Sequence, residues 1–200
     1  LEADVVVAIP RMKKYMEYSA KILSVYLKYV SPEDIYVYSV DEVFIDLGGY
    51  VSDNAVEFVE MMVKDVFDTT GIIASAGIGE NMYLAKVAMD IVAKKAKPNE
   101  HGARIGELSI SSYREQLWSH TPITDFWRVG RGYAKTLAKY GIYTMGDIAR
   151  ESLKQNRVNE GMALLYRLFG KNASFLIEHA WGIDSTQIKD VKLYTPEKKS

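Results

Sequence analysis

The run at residues 36–47 reads Tyr-Val-Tyr-Ser-Val-Asp-Glu-Val-Phe-Ile-Asp-Leu. It is rich in β-branched and aromatic residues, the composition of a buried strand. Its middle nevertheless carries Asp41 and Glu42 side by side. Two adjacent anions in an apolar run are costly to bury unless something neutralises them. A hard cation such as Mg²⁺ would do so, because it prefers carboxylate oxygens. Neighbouring side chains of a regular strand point to opposite faces. If both acids serve one site, the chain must therefore turn there. This predicts strands at 35–40 and 43–47 with the acids at the turn between them. The alternative is a surface hairpin with solvated acids at its tip.

The chain has 200 residues, enough for one large domain or two small ones, and 48% of them are hydrophobic. No apolar run reaches the length of a membrane span. The first ten residues carry no initiator Met and no basic leader region, so they do not form a signal peptide; the chain reads as the middle of a longer one. The absence of cysteine excludes disulfides and thiolate metal sites and suits a reducing, cytoplasmic setting. The net charge of −1 argues against a uniform nucleic-acid-binding surface. Charge is uneven, however. The first hundred residues hold 10 Lys/Arg against 16 Asp/Glu, and the second hundred 15 against 10. That asymmetry points to two modules with different partners.

In chain order, Pro10 opens a helix whose apolar positions are Met12, Met16, Ala20, Leu23, Leu27 and Val30. Asp53 or Asn54 caps a second helix that Gly71 ends. Residues 72–78 form an apolar strand, and Gly79-Glu80-Asn81 opens a helix with Leu84, Val87, Ala88, Ile91 and Val92 inward. A further strand is expected at 105–110, and the remainder reads as helical. The expected fold is α+β, a mixed sheet with helices on one face followed by a small all-α unit.

The second half turns on Trp127-Arg128-Val129-Gly130-Arg131-Gly132-Tyr133-Ala134-Lys135. A tight Gly-x-Gly turn opens a short helix that packs Ala134, Leu137 and Ala138 and stops at Gly141. Thr144 with Asp147 three residues on is a capping-box start for the next helix. Free N–H groups at a helix start suit a phosphate, and Arg131, Lys135 and Lys139 add positive charge. The competing reading is an ordinary contact between two helices. His101, His120 and His179 lie far apart without ligand spacing and read as surface or packing residues. Trp118, Trp127 and Trp181 read as core or hinge packing. Ser39 lacks the context of a nucleophile and reads as a hydrogen-bond donor that orients the acids.

Three segments together resemble the Y-family of translesion DNA polymerases, nearest its UmuC-like bacterial branch. Residues 38–46, with a Ser-x-Asp-Glu core, resemble the second catalytic motif. Residues 75–88, Ser-Ala-Gly-Ile-Gly-Glu-Asn-Met-Tyr-Leu-Ala-Lys-Val-Ala, resemble the palm motif that follows it. Residues 129–141 resemble the helix-hairpin-helix of the thumb. The resemblance covers essentially the whole chain. It implies a ferredoxin-like palm at 1–110, with the tail of the fingers connection at 1–10, a thumb at 111–185, and a linker toward a little finger at 186–200. It also implies two-metal nucleotidyl transfer with Mg²⁺, in which Asp41 is shared by both ions and Glu42 belongs to the primer-side ion. Lys86 would contact the incoming deoxynucleoside triphosphate, where a point charge suits phosphate oxygens; its rival role is a helix charge paired with Asp90 at i+4. Gly130, Arg131, Gly132 and Lys135 would contact the backbone of primer–template DNA, while Asp46 stays structural.

The family's first metal-binding aspartate and its steric-gate aromatic do not match any residue here. The resemblance therefore implies a fragment that does not polymerise alone and binds Mg²⁺ poorly. A sliding clamp would be met through regions outside this span, and the setting implied is the bacterial cytoplasm and nucleoid in DNA damage tolerance. Two rivals stand beside this reading: a non-catalytic DNA-binding module with a degenerate palm, and a nucleotidyl cyclase-like palm, against which the thumb argues.

Overall fold

The computed structural model describes residues 7–52, 54–154 and 160–193. Helix α1 (Met12–Tyr26) leads through a 3₁₀ turn (Pro32–Asp34) into strand β1 (Ile35–Val37). Strand β1 pairs antiparallel with β2 (Val43–Ile45), with Tyr36 opposite Phe44. Helix α2 (Ala55–Thr70) starts where the Asn54 side chain accepts the Glu57 N–H, and it ends at Gly71, whose φ of 71° is the left-handed conformation glycine allows. Strand β3 (Ala76–Gly79) runs into helix α3 (Met82–Val87), which continues as a π-type stretch (Ala88–Val92) and a 3₁₀ turn (Ala93–Lys95). Strand β4 (Ile105–Leu108) lies parallel to β3. Helices α4 (Ile110–Leu117), α5 (Arg131–Ala138), α6 (Met145–Ser152), α7 (Gly161–Phe169), α8 (Asn172–Ala180) and α9 (Ile188–Leu193) complete the described chain.

The α+β class holds, but the expected mixed sheet is replaced by two separate pairs, β1–β2 and β3–β4. A cleft of 1470 Å³ is lined by residues of both pairs. The strand expected at 72–78 is shorter, because Ile72 and Ile73 are exposed and lie outside the pairing. The strand expected at 105–110 stops at Leu108, because Ser109 and Ser112 form a capping box that starts α4 at Ile110. Helix α1 begins at Met12, two residues after Pro10, and its packing face differs from the expected one. Met12, Met16 and Leu27 are exposed, whereas Val25 is fully buried. For Met12 and Met16 the reason is positional: residues 11–17 are solvated throughout, while just beyond the far end the Tyr29 hydroxyl donates to Asp65 of α2 and the Tyr29 ring meets Phe58 edge-on. Residues 1–6, Asp53 and the end of the expected linker at 194–200 lie outside the described residues.

The main core is continuous from α3 to α8. It joins Tyr83, Leu84, Val87 and Ile91 to Tyr113, Phe126, Leu137, Met145 and Leu165, and each such side chain contributes about 1.5–3 kcal/mol on burial. A smaller cluster centres on Val59, Val63 and Ala103. Two tyrosine hydroxyls inside the main core are paired: those of Tyr83 and Tyr113 lie 3.1 Å apart, and Tyr113 donates to the His179 carbonyl at 3.0 Å. Asn81 does two jobs. Its Oδ1 accepts the Leu84 N–H as the α3 cap, and its Nδ2 donates to the Gly182 carbonyl across the molecule. The stretch after Gly182 then returns to the hairpin. Helix α9 packs on β1, and Lys192 Nζ donates to the Pro32 carbonyl at 2.6 Å.

Candidate active site

The acidic pair occupies a tight turn. Both Tyr38 and Ser39 donate their backbone N–H groups to the Glu42 carbonyl, so β1 and β2 close around residues 38–42. Within it, Ser39 Oγ donates to Asp41 Oδ1 at 2.7 Å. Asp41 is exposed at the mouth of the cleft, and Glu42 points toward α3. Asp46 accepts the Gly48 N–H and shapes the loop after β2.

Lys86 reaches the hairpin from α3. Its Nζ lies 2.6 Å from Glu42 Oε1 and 3.0 Å from Asp90, so the long-range and the i+4 partners are both engaged. Only 10% of the Lys86 side chain is exposed. Burial works against its charge, but the hydrogen bonds to Glu42 and Asp90 outweigh this and hold the ammonium above the ordinary lysine range. A raised lysine stabilises the fold fully at neutral pH, and that contribution fades only as pH climbs through the raised value. Lys86→Met leaves Glu42 and Asp90 facing each other without a cation. It is expected to cost about 1–2 kcal/mol, between the exposed and buried limits for such pairs. Urea denaturation at pH 7 reads this directly; an unchanged midpoint would show the ion pairs to be energetically idle.

What brings α3 so near is its seat on β3 and β4. At Gly77, an added Cβ would overlap the Ala85 carbonyl oxygen and the Met89 amide nitrogen; at Gly106 it would stand 2.6 Å from the Ala93 nitrogen. Glycine lets helix backbone lie directly on strand backbone there.

The Gly-x-Gly segment lies apart from the acids and is joined to them by aromatic packing. Trp127 Nε1 donates to the Tyr38 hydroxyl at 3.2 Å, and the Trp127 ring meets Phe44 with centroids 5.6 Å apart. Gly130, Arg131, Gly132 and Lys135 are all exposed. Nothing in the chain lies within 4 Å of where a Cβ at Gly130 or Gly132 would stand, and no side chain caps α5. The Thr144–Asp147 capping box forms as expected at the start of α6. The glycines do not carry the unusual backbone of this turn. Arg128 does, with φ 66°, a conformation that costs a residue with a Cβ about 1–2 kcal/mol.

Residues 1–90 match the model of the impB/mucB/samB family. DNA polymerase IV of Shewanella woodyi is 30% identical over 187 residues, 92% of this chain and 46% of that protein. The Bacillus subtilis protein named DNA polymerase IV 2 is 29% identical over 192 residues, 95% of this chain and 42% of that protein. Among solved structures, the Dbh ternary complex superposes with a TM-score of 0.71 at 22% identity, covering 91% of this chain and 50% of that one. The family match covers just under half of the chain, and the similarity to proteins named DNA polymerase IV extends over most of it. The chain spans under half the length of these two curated relatives.

The sequence motifs located the acidic turn and Lys86 but left two features unread. One is Arg128. The other is His179 on α8, which is fully buried, stacks on Tyr83 with ring centroids 4.1 Å apart, and leaves Nε2 without a hydrogen-bond partner among the described residues. Burial pushes its pKa from 6.5 down to about 4; Asp184, 3.9 Å away, opposes the shift and Arg128 adds to it. The Trp118 and Trp181 indoles pack edge to face and donate to the Ala180 carbonyl and Ser152 Oγ, the structural role expected of them.

Proposed function

We propose that this chain is the nucleotidyl-transfer and thumb part of a template-directed translesion DNA polymerase acting in DNA damage tolerance. The observation that carries the reading is the acidic turn: Asp41 stands at the mouth of a 1470 Å³ cleft, Ser39 orients it, and Glu42 beside it is tied to Lys86. The proposed division is a palm over 1–110, a helix-hairpin-helix thumb over 111–185, and a connecting segment from 186.

Among the described residues, no group of three or more His, Cys, Asp or Glu converges on one point. The two adjacent carboxylates are hard oxygen donors that suit Mg²⁺ held jointly with substrate phosphates, and they do not form a closed protein cage. Asp41 and Glu42 would hold such ions. When bound, the ions supply activation of the attacking primer hydroxyl and neutralisation of charge on the triphosphate. The chain's own residues do the remaining work. Ser39 fixes the rotamer of Asp41. Lys86 offers an ammonium to a triphosphate oxygen and, having two carboxylate partners, stays paired with Asp90 when Glu42 is engaged elsewhere. The open N–H groups and the cations at Gly130, Arg131, Gly132 and Lys135 would follow the DNA backbone. On this reading the 200-residue chain does not extend a primer alone, because it is assigned only two of the metal-binding carboxylates.

The test is binding of a fluorescent deoxynucleoside triphosphate in Mg²⁺ by anisotropy. Asp41→Asn and Lys86→Ala are each expected to weaken it at least tenfold. Full affinity in Asp41→Asn would sink the catalytic assignment. If DNA bound while no triphosphate did even at Mg²⁺ concentrations raised to offset a weak ion site, a non-catalytic DNA-binding module would be the better reading.

A further inference from the structure

Arg128 is the one residue other than glycine with positive φ among the described residues. Strained backbone survives where the surroundings enforce it, and it concentrates at functional positions. The surroundings here are a shelf of rings. The Arg128 guanidinium lies 4.3 Å above the Trp127 ring and 6.0 Å from Phe175. The shelf is itself pinned, since Trp127 donates to Tyr38 and packs on Phe44 of β2. Arg128 is exposed, and among the described residues no carboxylate lies within ion-pair distance of it. A guanidinium that stacks by its flat face keeps its N–H fork free at the edge, and that fork matches a phosphate in two-point fashion. The residues that follow are the exposed Gly130 and Gly132, with room on their open side.

We propose that Arg128 is a phosphodiester-binding residue, held for that purpose by the Trp127 shelf, at the seam between the acidic hairpin and α5. The assignment rests on the nucleic-acid reading above and deepens it. It explains why an arginine occupies a backbone position where glycine would be unstrained: the strain holds a rigid cation in place. It also places a nucleic-acid contact one residue from the indole that hydrogen-bonds Tyr38, three residues before Asp41.

The experiment compares the 200-residue chain with Arg128→Gly and Arg128→Lys by fluorescence anisotropy on a labelled primer–template duplex across a salt series, with thermal melts beside it. Arg128→Gly is expected to raise the melting temperature by a few degrees while weakening duplex binding three- to tenfold. Its salt slope should be smaller by about one, the signature of one lost phosphate contact. Arg128→Lys keeps the charge without the planar fork and should fall between. An Arg128→Gly chain that binds with unaltered affinity and slope overturns this assignment alone. An unaltered chain that binds no duplex at low salt overturns both it and the polymerase reading.

Discussion

Gly77→Val is expected to prevent stable folding, the largest effect foreseen for any single change here. The Cβ of any other residue at that position would sit inside van der Waals contact with the Ala85 carbonyl and the Met89 amide and side chain. These are backbone atoms of one helix, so relief requires α3 to lift off β3. That movement would also withdraw Lys86 from Glu42 and loosen Tyr83 and Leu84 in the main core. Even Gly77→Ala should cost about 3 kcal/mol or more, the range for overpacking that side-chain shifts cannot relieve. Gly49→Ala is the control, since nothing lies within 4 Å of a Cβ there. Circular dichroism melts measure both. A cooperative Gly77→Ala transition at the unaltered temperature would show the close helix–strand seat to be wrong.

Acid should selectively weaken the molecule through His179. Above pH 6.5 the ring is neutral whether the chain is folded or not, and it has no influence on pH dependence. Between 6.5 and about 4, the unfolded chain takes up a proton that the buried ring refuses, so stability falls as pH falls. Below about 4 both states are protonated and the loss is complete, at about 3 kcal/mol. His179→Phe keeps a ring against Tyr83 and sacrifices no Nε2 hydrogen bond. Its urea midpoint should therefore drop less between pH 7 and pH 4.5 than that of the unaltered chain. Carboxylates distant from residue 179 contribute equally to both proteins and cancel in the comparison; Asp184, 3.9 Å from the ring, is the exception. Identical acid slopes would exclude His179 as the sensitive group.

What was legible in the sequence was local. Asn54, Gly71, Thr144 and Asp147 act within a turn or two of themselves, and the structure uses them as starts, stops and caps. Ser39 and Asp41 sit two residues apart, and their hydrogen bond follows from that proximity. Lys86 and Asp90 are one helical turn apart. The features that escaped depend on distant packing. Burial of His179 requires Tyr83, far away in sequence, to stack on it. The Arg128 side chain lies over the Trp127 ring, which is itself held by residues 38 and 44, and neither turn chemistry nor periodicity signals its positive φ. The exposed Met12 and Met16 had the right spacing for a buried face, but spacing says nothing about how much of a helix finds a neighbour. The separation of the two strand pairs was unreadable for the same reason: an apolar run announces burial without naming which edge it meets.

The contact of α9 with the hairpin has a mechanical consequence. Lys192 grips the Pro32 carbonyl, and Ile188 is buried nearby, so a pull on Leu193 is carried straight into the 3₁₀ turn and β1. The force need not first pass through the helical layer from α4 to α8. Only the few residues from Ile35 to Val40 then separate that grip from Asp41. Tension on the far end of the described chain thus acts on the same short lever that aims the acidic turn.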